Sequence, residues 1–451
     1  MIALLNPNAN VEVVKTLDIS TPPLSLGYLA AVLRREGFRV RVIDDLVENV
    51  GFEELLKRVK NALVVGITST TPTFSSAMRY AKKIKEALPN IQVILGGVHV
   101  TFKPYDPLRS GYVDAVCIGE GEETIVEVAE RVESGNGLDG VRGIIYRDES
   151  RIVNNGPREP IKNLDSLPFP AYDLMPLDSY RIFGYRLGHF PVITSRGCPF
   201  GCRYCSSSTF MGFRFRARSA KNVVDEVEWL VNDYDAEHIA FSDDTFTLSK
   251  RRVEAICEEI KSRGLDIDWS CSSRVDTINE DMLRKMKDAG CSAIYFGIES
   301  ASETILEFYR KRINLEKAIK AIELTRKIGI SAICSFIIGA PMERREDMES
   351  TLRLALKIDP DYAQFSILTP YPGTEIYQEA RERGWLLTEN YDEYTAGKPV
   401  LKNFYMSSEE VYRFLKYCYL RFYLRPRFII REFKKGHFRV VWGILRKTLK
   451  V

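Results

Sequence analysis

No run of apolar residues in this 451-residue chain approaches the ~18 uninterrupted positions of a membrane-spanning helix. The opening Met1-Ile2-Ala3-Leu4-Leu5-Asn6-Pro7 lacks the basic segment that begins a secretory leader. Neither a span nor an export signal is expected, and the cytoplasm is the expected compartment. There is no internal repeat beyond an alternation of strand and helix signals, and no low-complexity stretch. Nor is there a disulfide framework: nine cysteines, an odd number scattered over a long chain, suit a reducing compartment. Basic charge is not spread along the chain either. Of 64 Lys and Arg and 61 Asp and Glu, ten basic residues and one acid, Glu432, fall within 421–451, leaving 54 against 60 elsewhere, a balance of −6. A nucleic-acid binder distributes cations over a folded face, so nucleic acid is not an expected partner. With 45% apolar and 28% charged residues, what remains is an ordinary globular protein long enough for two or three domains.

Strand and helix signals divide the chain into four stretches. Residues 1–135 alternate short β-rich runs (2–5, 39–43, 63–67, 92–95 and 115–118) with helical patterns such as Leu26, Leu29, Ala30 and Leu33, which predicts a five-strand doubly wound α/β domain. Residues 136–187, with Pro157, Pro160, Pro168, Pro170 and Pro176, read as a connector lying on the surface between domains. From 188 to 400 six β/α units follow, with strands near 190–196, 238–243, 267–273, 293–299, 331–338 and 362–369, which predicts a partial (β/α)6 barrel. Residues 401–451 form a helical, basic extension. In both α/β domains, ligand chemistry belongs at the carboxyl ends of the strands.

The first barrel strand runs into Ser195-Arg196-Gly197-Cys198-Pro199-Phe200-Gly201-Cys202-Arg203-Tyr204-Cys205. Three thiols in eight residues can wrap one metal centre, and a four-iron cluster held by three thiols keeps one iron open for a ligand. Gly197 and Gly201 let the loop turn tightly, and Tyr204 offers a flat face beside the open iron. Zinc is the alternative, but its sites usually pair two C-x2-C knuckles and this chain has one. The cysteines at 117, 257, 271, 291, 334 and 418 sit in apolar segments and read as core.

The other strand ends add polar groups. Asp243 and Asp244, after the second barrel strand, can accept hydrogen bonds from a ligand ammonium, or Asp244 can cap the following helix. Glu299, at the tip of the fourth, suits ribose hydroxyls, with an exposed surface carboxylate as the alternative. Arg274, after the third, can neutralise a carboxylate or serve a structural ion pair. Gly339-Ala340-Pro341, after the fifth, lets the backbone approach a flat ring.

Taken in order, these motifs resemble those of the radical S-adenosylmethionine (SAM) family. The resemblance implies a 4Fe-4S cluster on Cys198, Cys202 and Cys205, whose open iron chelates SAM, and reductive cleavage of SAM to a 5'-deoxyadenosyl radical. It implies SAM contacts from Tyr204, Asp243, Asp244, Arg274, Glu299, Gly339 and Pro341, the last two matching the family's adenine-side pattern only loosely. Pro22 to Leu29, the loop Gly96-Gly97-Val98-His99-Val100-Thr101, the loop Gly119-Glu120-Gly121-Glu122-Glu123-Thr124 and Thr369-Pro370-Tyr371-Pro372-Gly373-Thr374 resemble the cobalamin-binding branch of that family. That branch implies cobalamin contacts from Ser25, Leu26, Thr68, Ser69, Gly96, Gly97, His99, Glu120 and Gly121. No D-x-H-x-x-G run follows the first strand, so no histidine is expected below the cobalt; His99 either reaches the corrin edge or is a plain loop residue.

The implied function is methylation of an unactivated carbon or phosphorus centre, with a reducing partner such as flavodoxin or ferredoxin and a small-molecule or lipid substrate. The alternatives are a cobalamin-dependent radical cyclase or rearrangement enzyme, and a non-catalytic corrinoid- or cluster-binding sensor. A methylthiotransferase is disfavoured because the N-terminal domain offers only Cys117 where that branch carries three cluster cysteines. In the extension, aromatic and aliphatic residues interleaved with cations suit a helix lying peripherally at the inner membrane surface, or a helical cap on the barrel with a solvated basic face.

Overall fold

The computed structural model describes residues 1–8, 19–182, 184 and 188–434. They form two compact units. One holds strand β1 (Ile2–Asn6), Ser20–Arg181 and the short segment Asn390–Glu393; the other holds the described residues of Ile182–Glu389 and of the chain from Tyr394 to Lys434.

In the first unit β1, β2 (Val40–Asp44), β3 (Val64–Thr68), β4 (Gln92–Gly96) and β5 (Ala115–Cys117) pair in parallel in the order β2-β1-β3-β4-β5. Helices such as α1 (Leu24–Arg35), α2 (Phe74–Ala87) and α3 (Glu122–Glu133) fill the connections. Strands covered on both faces read as unbroken apolar runs, and Ile2, Ala3, Leu4 and Leu5 are all fully buried. The five expected strands are therefore present, and the order reverses between β1 and β3, where ligands bind in such sheets.

Two further strands, β6 (Ile144–Asp148) and β7 (Arg151–Asn154), extend the sheet antiparallel from β5. They lie in the stretch expected to be a connector. Its five prolines all fall after residue 156, so they mark only the later part as irregular and hide the apolar Ile144-Ile145-Tyr146 ahead of them. That later part is folded too: the Tyr180 hydroxyl donates to Asp44 at 2.8 Å, and Arg34 pairs with Asp173 at 2.6 Å.

The second unit is built on β8 (His189–Val192), β11 (His238–Phe241), β12 (Asp268–Ser273), β13 (Cys291–Glu299), β14 (Ser331–Ile338) and β15 (Tyr362–Ile367), parallel and adjacent in chain order. A small antiparallel pair, β9 (Ser195–Arg196) with β10 (Arg216–Ala217), brackets the cysteine loop. This is the expected open (β/α)6 barrel. Along β14 the residues alternate: Ala332, Cys334, Phe336 and Ile338 are fully buried, whereas Ser331, Ile333, Ser335 and Ile337 on the opposite face are half-buried.

The barrel helices are α4 (Ala220–Tyr234), α5 (Lys250–Ser262), α6 (Glu280–Asp288), α7 (Leu315–Lys327) and α8 (Arg345–Ile358). Ser219, Asn279 and Asn314 cap α4, α6 and α7 through their side chains. Two more helices follow, α9 (Ser408–Tyr423) and α10 (Pro426–Lys434). The hydroxyls of Tyr419 and Tyr423 on α9 donate to the carbonyls of Phe365 and Ala363 at 2.8 and 2.7 Å, satisfying the backbone of edge strand β15. Helix α9 thus packs on the edge of the barrel sheet, and residues 435–451 of the basic extension lie outside those described.

Candidate functional site

The cysteine loop is shaped by its glycines and pinned at both ends. Gly197 has φ +89°, and a Cβ there would lie 2.3 Å from the Arg214 carbonyl oxygen, so only glycine fits. The Cys198 amide donates to the Gly212 carbonyl at 3.2 Å, and the Ser208 hydroxyl to the Cys198 carbonyl at 2.6 Å. Further along, the Arg203 amide donates to the Tyr309 carbonyl, and its guanidinium pairs with Glu379 at 2.5 Å and Glu375 at 3.3 Å. All nine cysteines are free, and those of the loop are partly exposed. Burial raises the Cys205 thiol above its usual pKa, against a hydrogen bond to Ser207 that lowers it. Among the described residues no three His, Cys, Asp or Glu side chains are gathered closely enough to hold a single metal ion. Three free, partly exposed thiols on one tightly turned loop fit a larger iron–sulfur group that brings its own sulfides.

Beside the loop stands a buried polar array. Glu299 is 5% exposed and has φ +71°, a left-handed conformation reached at an irregularity in the β13–β14 pairing. Its carboxylate accepts from the Tyr204 hydroxyl at 3.0 Å, Lys311 Nζ at 3.1 Å and the Ser335 hydroxyl at 3.3 Å. Burial first, and then the Glu299 charge, holds Tyr204 in its neutral form. Arg274 sits 3.8 Å above the Phe200 ring and makes two hydrogen bonds to Asp276, at 2.9 and 2.8 Å. Burial works against its charge, but Asp276 outweighs that and raises its pKa.

The two aspartates part company. Asp243 is 3% exposed and accepts from the amides of Thr194 and Ser195 at 2.7 and 3.1 Å and from their hydroxyls at 2.5 and 2.6 Å. It braces the turn that launches the cysteine loop. Asp244 is exposed by area yet crowded enough that burial raises its pKa, against a hydrogen bond to Ser207. It is also the carboxylate felt at Cys205. It caps no helix, since Ser249 occupies the cap position of α5.

The Gly339-Ala340-Pro341 turn is held from beneath. Glu343, fully buried, accepts from the amides of Gly339 and Ala340 at 2.5 and 3.0 Å, and Asn403 donates to the carbonyls of Ala340 and Glu343 at 2.7 and 2.8 Å. Burial pushes the Glu343 carboxyl up to about 8, so it is mostly neutral at pH 7. A Cβ on Gly339 (φ +82°) would meet Val411 at 2.9 Å, so the packing of α9 itself demands glycine there.

In the first unit the loops after β3 and β4 lock together. Gly97 has φ +103°, and a Cβ there would lie 2.5 Å from the Ser69 carbonyl oxygen; the Ser69 amide donates to the Gly96 carbonyl at 2.8 Å. Thr68 ends β3, half-buried. His99 is 1% exposed, its ring centroid 4.2 Å from Phe74 and 4.7 Å from Tyr391, with Nδ1 3.2 Å from the Thr71 hydroxyl and Nε2 without a partner. Burial lowers its pKa to about 3, so the ring is neutral. On α1 Ser25 faces outward and Leu26 is buried. Glu120 accepts from the Ile161 amide at 2.7 Å, and Gly121 precedes α3, where a Cβ would press on Leu29 and the Cys117 thiol. Cys117, expected in the core, is half-buried by area, and burial of its thiol raises its pKa to about 12; the other five cysteines outside the loop are buried.

Lys311, Ser335, Glu343, Asn403 and Tyr391 escaped the sequence reading. Arg310-Lys311-Arg312, a run of three cations, carried a local signal; Glu343 reaches back four positions to Gly339, and Ser335, Asn403 and Tyr391 are brought in by register or by long-range packing.

Residues 192–355 match the radical SAM superfamily model, and residues 12–129 match the B12 binding domain. The chain is 42% identical to an uncharacterized methyltransferase of Pyrococcus horikoshii, over 100% of this chain and 98% of that one. It is 29% identical to an anaerobic magnesium-protoporphyrin IX monomethyl ester cyclase of Cereibacter sphaeroides, over 96% of this chain and 72% of that one. The solved structure of OxsB, a cobalamin-dependent SAM radical enzyme with aqua-cobalamin and SAM bound, has a TM-score of 0.77 at 18% identity, covering 99% of this chain and 72% of that one, a likeness of fold. The chain belongs to the cobalamin-dependent radical SAM methyltransferase family, and its cofactors are a 4Fe-4S cluster, SAM and cobalamin.

Proposed function

We propose that the enzyme methylates an unactivated carbon or phosphorus centre of a small-molecule or lipid substrate. When bound, the cluster would supply the electron for reductive cleavage of SAM, and cobalamin would serve as carrier for the methyl group. Cys198, Cys202 and Cys205 hold the cluster. Asp244 faces the SAM ammonium, while Asp243 acts indirectly by fixing the loop. Arg274 lies toward the carboxylate, Glu299 toward the ribose, with Tyr204 and Lys311 setting its position, and the Gly339-Ala340-Pro341 turn lies toward the adenine. Ser25, Leu26, Thr68, Ser69, Gly96, Gly97, His99, Glu120 and Gly121 belong to the elements around the corrinoid. Electrons come from a flavodoxin or ferredoxin. The enzyme works in the cytoplasm and touches the inner membrane surface through its C-terminal extension.

The observation that carries this reading is the Tyr204–Glu299–Lys311 array beside a loop of three free thiols. Likeness to a methyltransferase over the full length supports methyl transfer, and likeness to a cyclase keeps a radical cyclisation as the second reading. The test is anaerobic turnover with methyl-deuterated SAM on extract from a strain lacking the enzyme. A product carrying the labelled methyl supports methyl transfer; an unlabelled product formed together with 5'-deoxyadenosine supports cyclisation.

A further inference from the structure

Helix α10 has two unlike faces. Phe428 and Glu432 are fully buried, and Glu432 accepts from the Tyr362 hydroxyl at 2.7 Å. The cations on that side are matched: Arg425 pairs with Asp359 at 2.9 Å, and Arg431 pairs with Glu432 at 3.4 Å and donates to the Asp361 carbonyl at 2.6 Å. The other side is apolar and largely exposed. Ile429, Ile430 and Phe433 are 36%, 55% and 63% exposed, adjoining positions around the helix, and Leu424 at the end of α9 is 45% exposed. Arg427 and Lys434 border this strip, both exposed. Among the described residues neither has an ion-pair partner.

We propose that this face of α10 is a docking surface for an anionic lipid bilayer. The proposal rests on the peripheral membrane contact named above and assigns it to particular residues. Charge selects the occupant. The acids packed against α10, Asp359 and Glu432, are paired with the inward cations, so on α10 itself the strip is bordered by Arg427 and Lys434. A sheet of anionic headgroups over acyl chains matches both components at once. The helix is anchored by Phe428 and Glu432, so the strip is presented already ordered and little conformational entropy is lost on docking.

The test is co-sedimentation of the full chain with vesicles of phosphatidylcholine alone or containing phosphatidylglycerol, at low and high salt. The expected result is binding to phosphatidylglycerol vesicles only, weakened by salt. Ile430→Glu/Phe433→Glu should reduce it at least tenfold, and Arg427→Gln and Lys434→Gln about fivefold each. Circular dichroism and iron content confirm that these surface variants are folded. If the full chain binds anionic vesicles and the Ile430→Glu/Phe433→Glu variant binds equally well, the membrane contact lies elsewhere and the assignment to α10 is overturned. If the full chain binds neither vesicle, or forms concentration-dependent dimers that the double variant abolishes, membrane contact falls with it. The methyl-transfer reading is untouched by any of these results.

Discussion

Glu299 and Lys311 form an ion pair at 3.1 Å with side chains only 6% and 7% exposed, tying the tip of β13 to the residue that follows Arg310, itself at φ +54°. A buried charge is tolerated only with its partner. Lys311→Met, which strands the carboxylate, should cost about 3–5 kcal/mol in anaerobic denaturant unfolding. Glu299→Gln keeps the shape and removes the charge; it should preserve iron content and weaken SAM binding about tenfold or more, the scale of a charged hydrogen bond. Loss of iron without loss of SAM affinity would place Glu299 with the cluster instead of the ribose.

Gly197→Ala should abolish cluster retention. Its Cβ would collide with the Arg214 carbonyl oxygen, a backbone atom that cannot swing away. Gly264→Ala is the control, at φ +65° with nothing within 4 Å of the added Cβ; it should cost only the left-handed penalty of about 1–2 kcal/mol and keep its iron. Iron assay of both proteins after anaerobic reconstitution decides the matter.

The difference between these glycines shows what was legible. Strand order in the barrel, the cysteine loop and the acids at the strand tips could be read because each is a local run of residues. What could not be read depends on distance in sequence: Tyr391 meets His99 from far along the chain, and Asn403 reaches the carbonyls of Ala340 and Glu343 from 63 and 60 positions away. Asp243 and Asp244 are neighbours in sequence, yet one points inward to Thr194 and Ser195 and the other toward the loop, a division that periodicity does not show. Strands β6 and β7 were hidden by the prolines that follow them.

His99 should make the protein acid-sensitive. Its folded pKa, about 3, lies below the ordinary 6.5 of an unfolded histidine, so between these values the unfolded chain binds the extra proton. Its share of stability is present above pH 6.5 and is lost as pH falls toward 3. Glu343, raised to about 8, acts in the opposite direction, so the informative quantity is the difference between wild type and His99→Gln. Between pH 7.5 and 5 the variant should lose about 2 kcal/mol less than wild type by denaturant unfolding. Parallel pH curves would mean that His99 protonates freely in the folded state.

His99 is too enclosed to serve as an axial ligand where it stands. Electron paramagnetic resonance of the cob(II)alamin form should show base-off cobalamin with no nitrogen superhyperfine splitting, unchanged in His99→Gln. A nitrogen pattern that disappears in the variant would put the imidazole on cobalt.

The most direct measurement of the central claim is iron content and 5'-deoxyadenosine release, under strong reductant with SAM, for wild type and for Cys202→Ala, Cys257→Ala and Cys334→Ala. Cys257 and Cys334 are buried core thiols raised well above their usual pKa, whereas Cys202 stands in the loop. The account predicts that Cys202→Ala loses both the cluster and SAM cleavage while the two core variants keep both. Unchanged iron and undiminished 5'-deoxyadenosine in Cys202→Ala would contradict it.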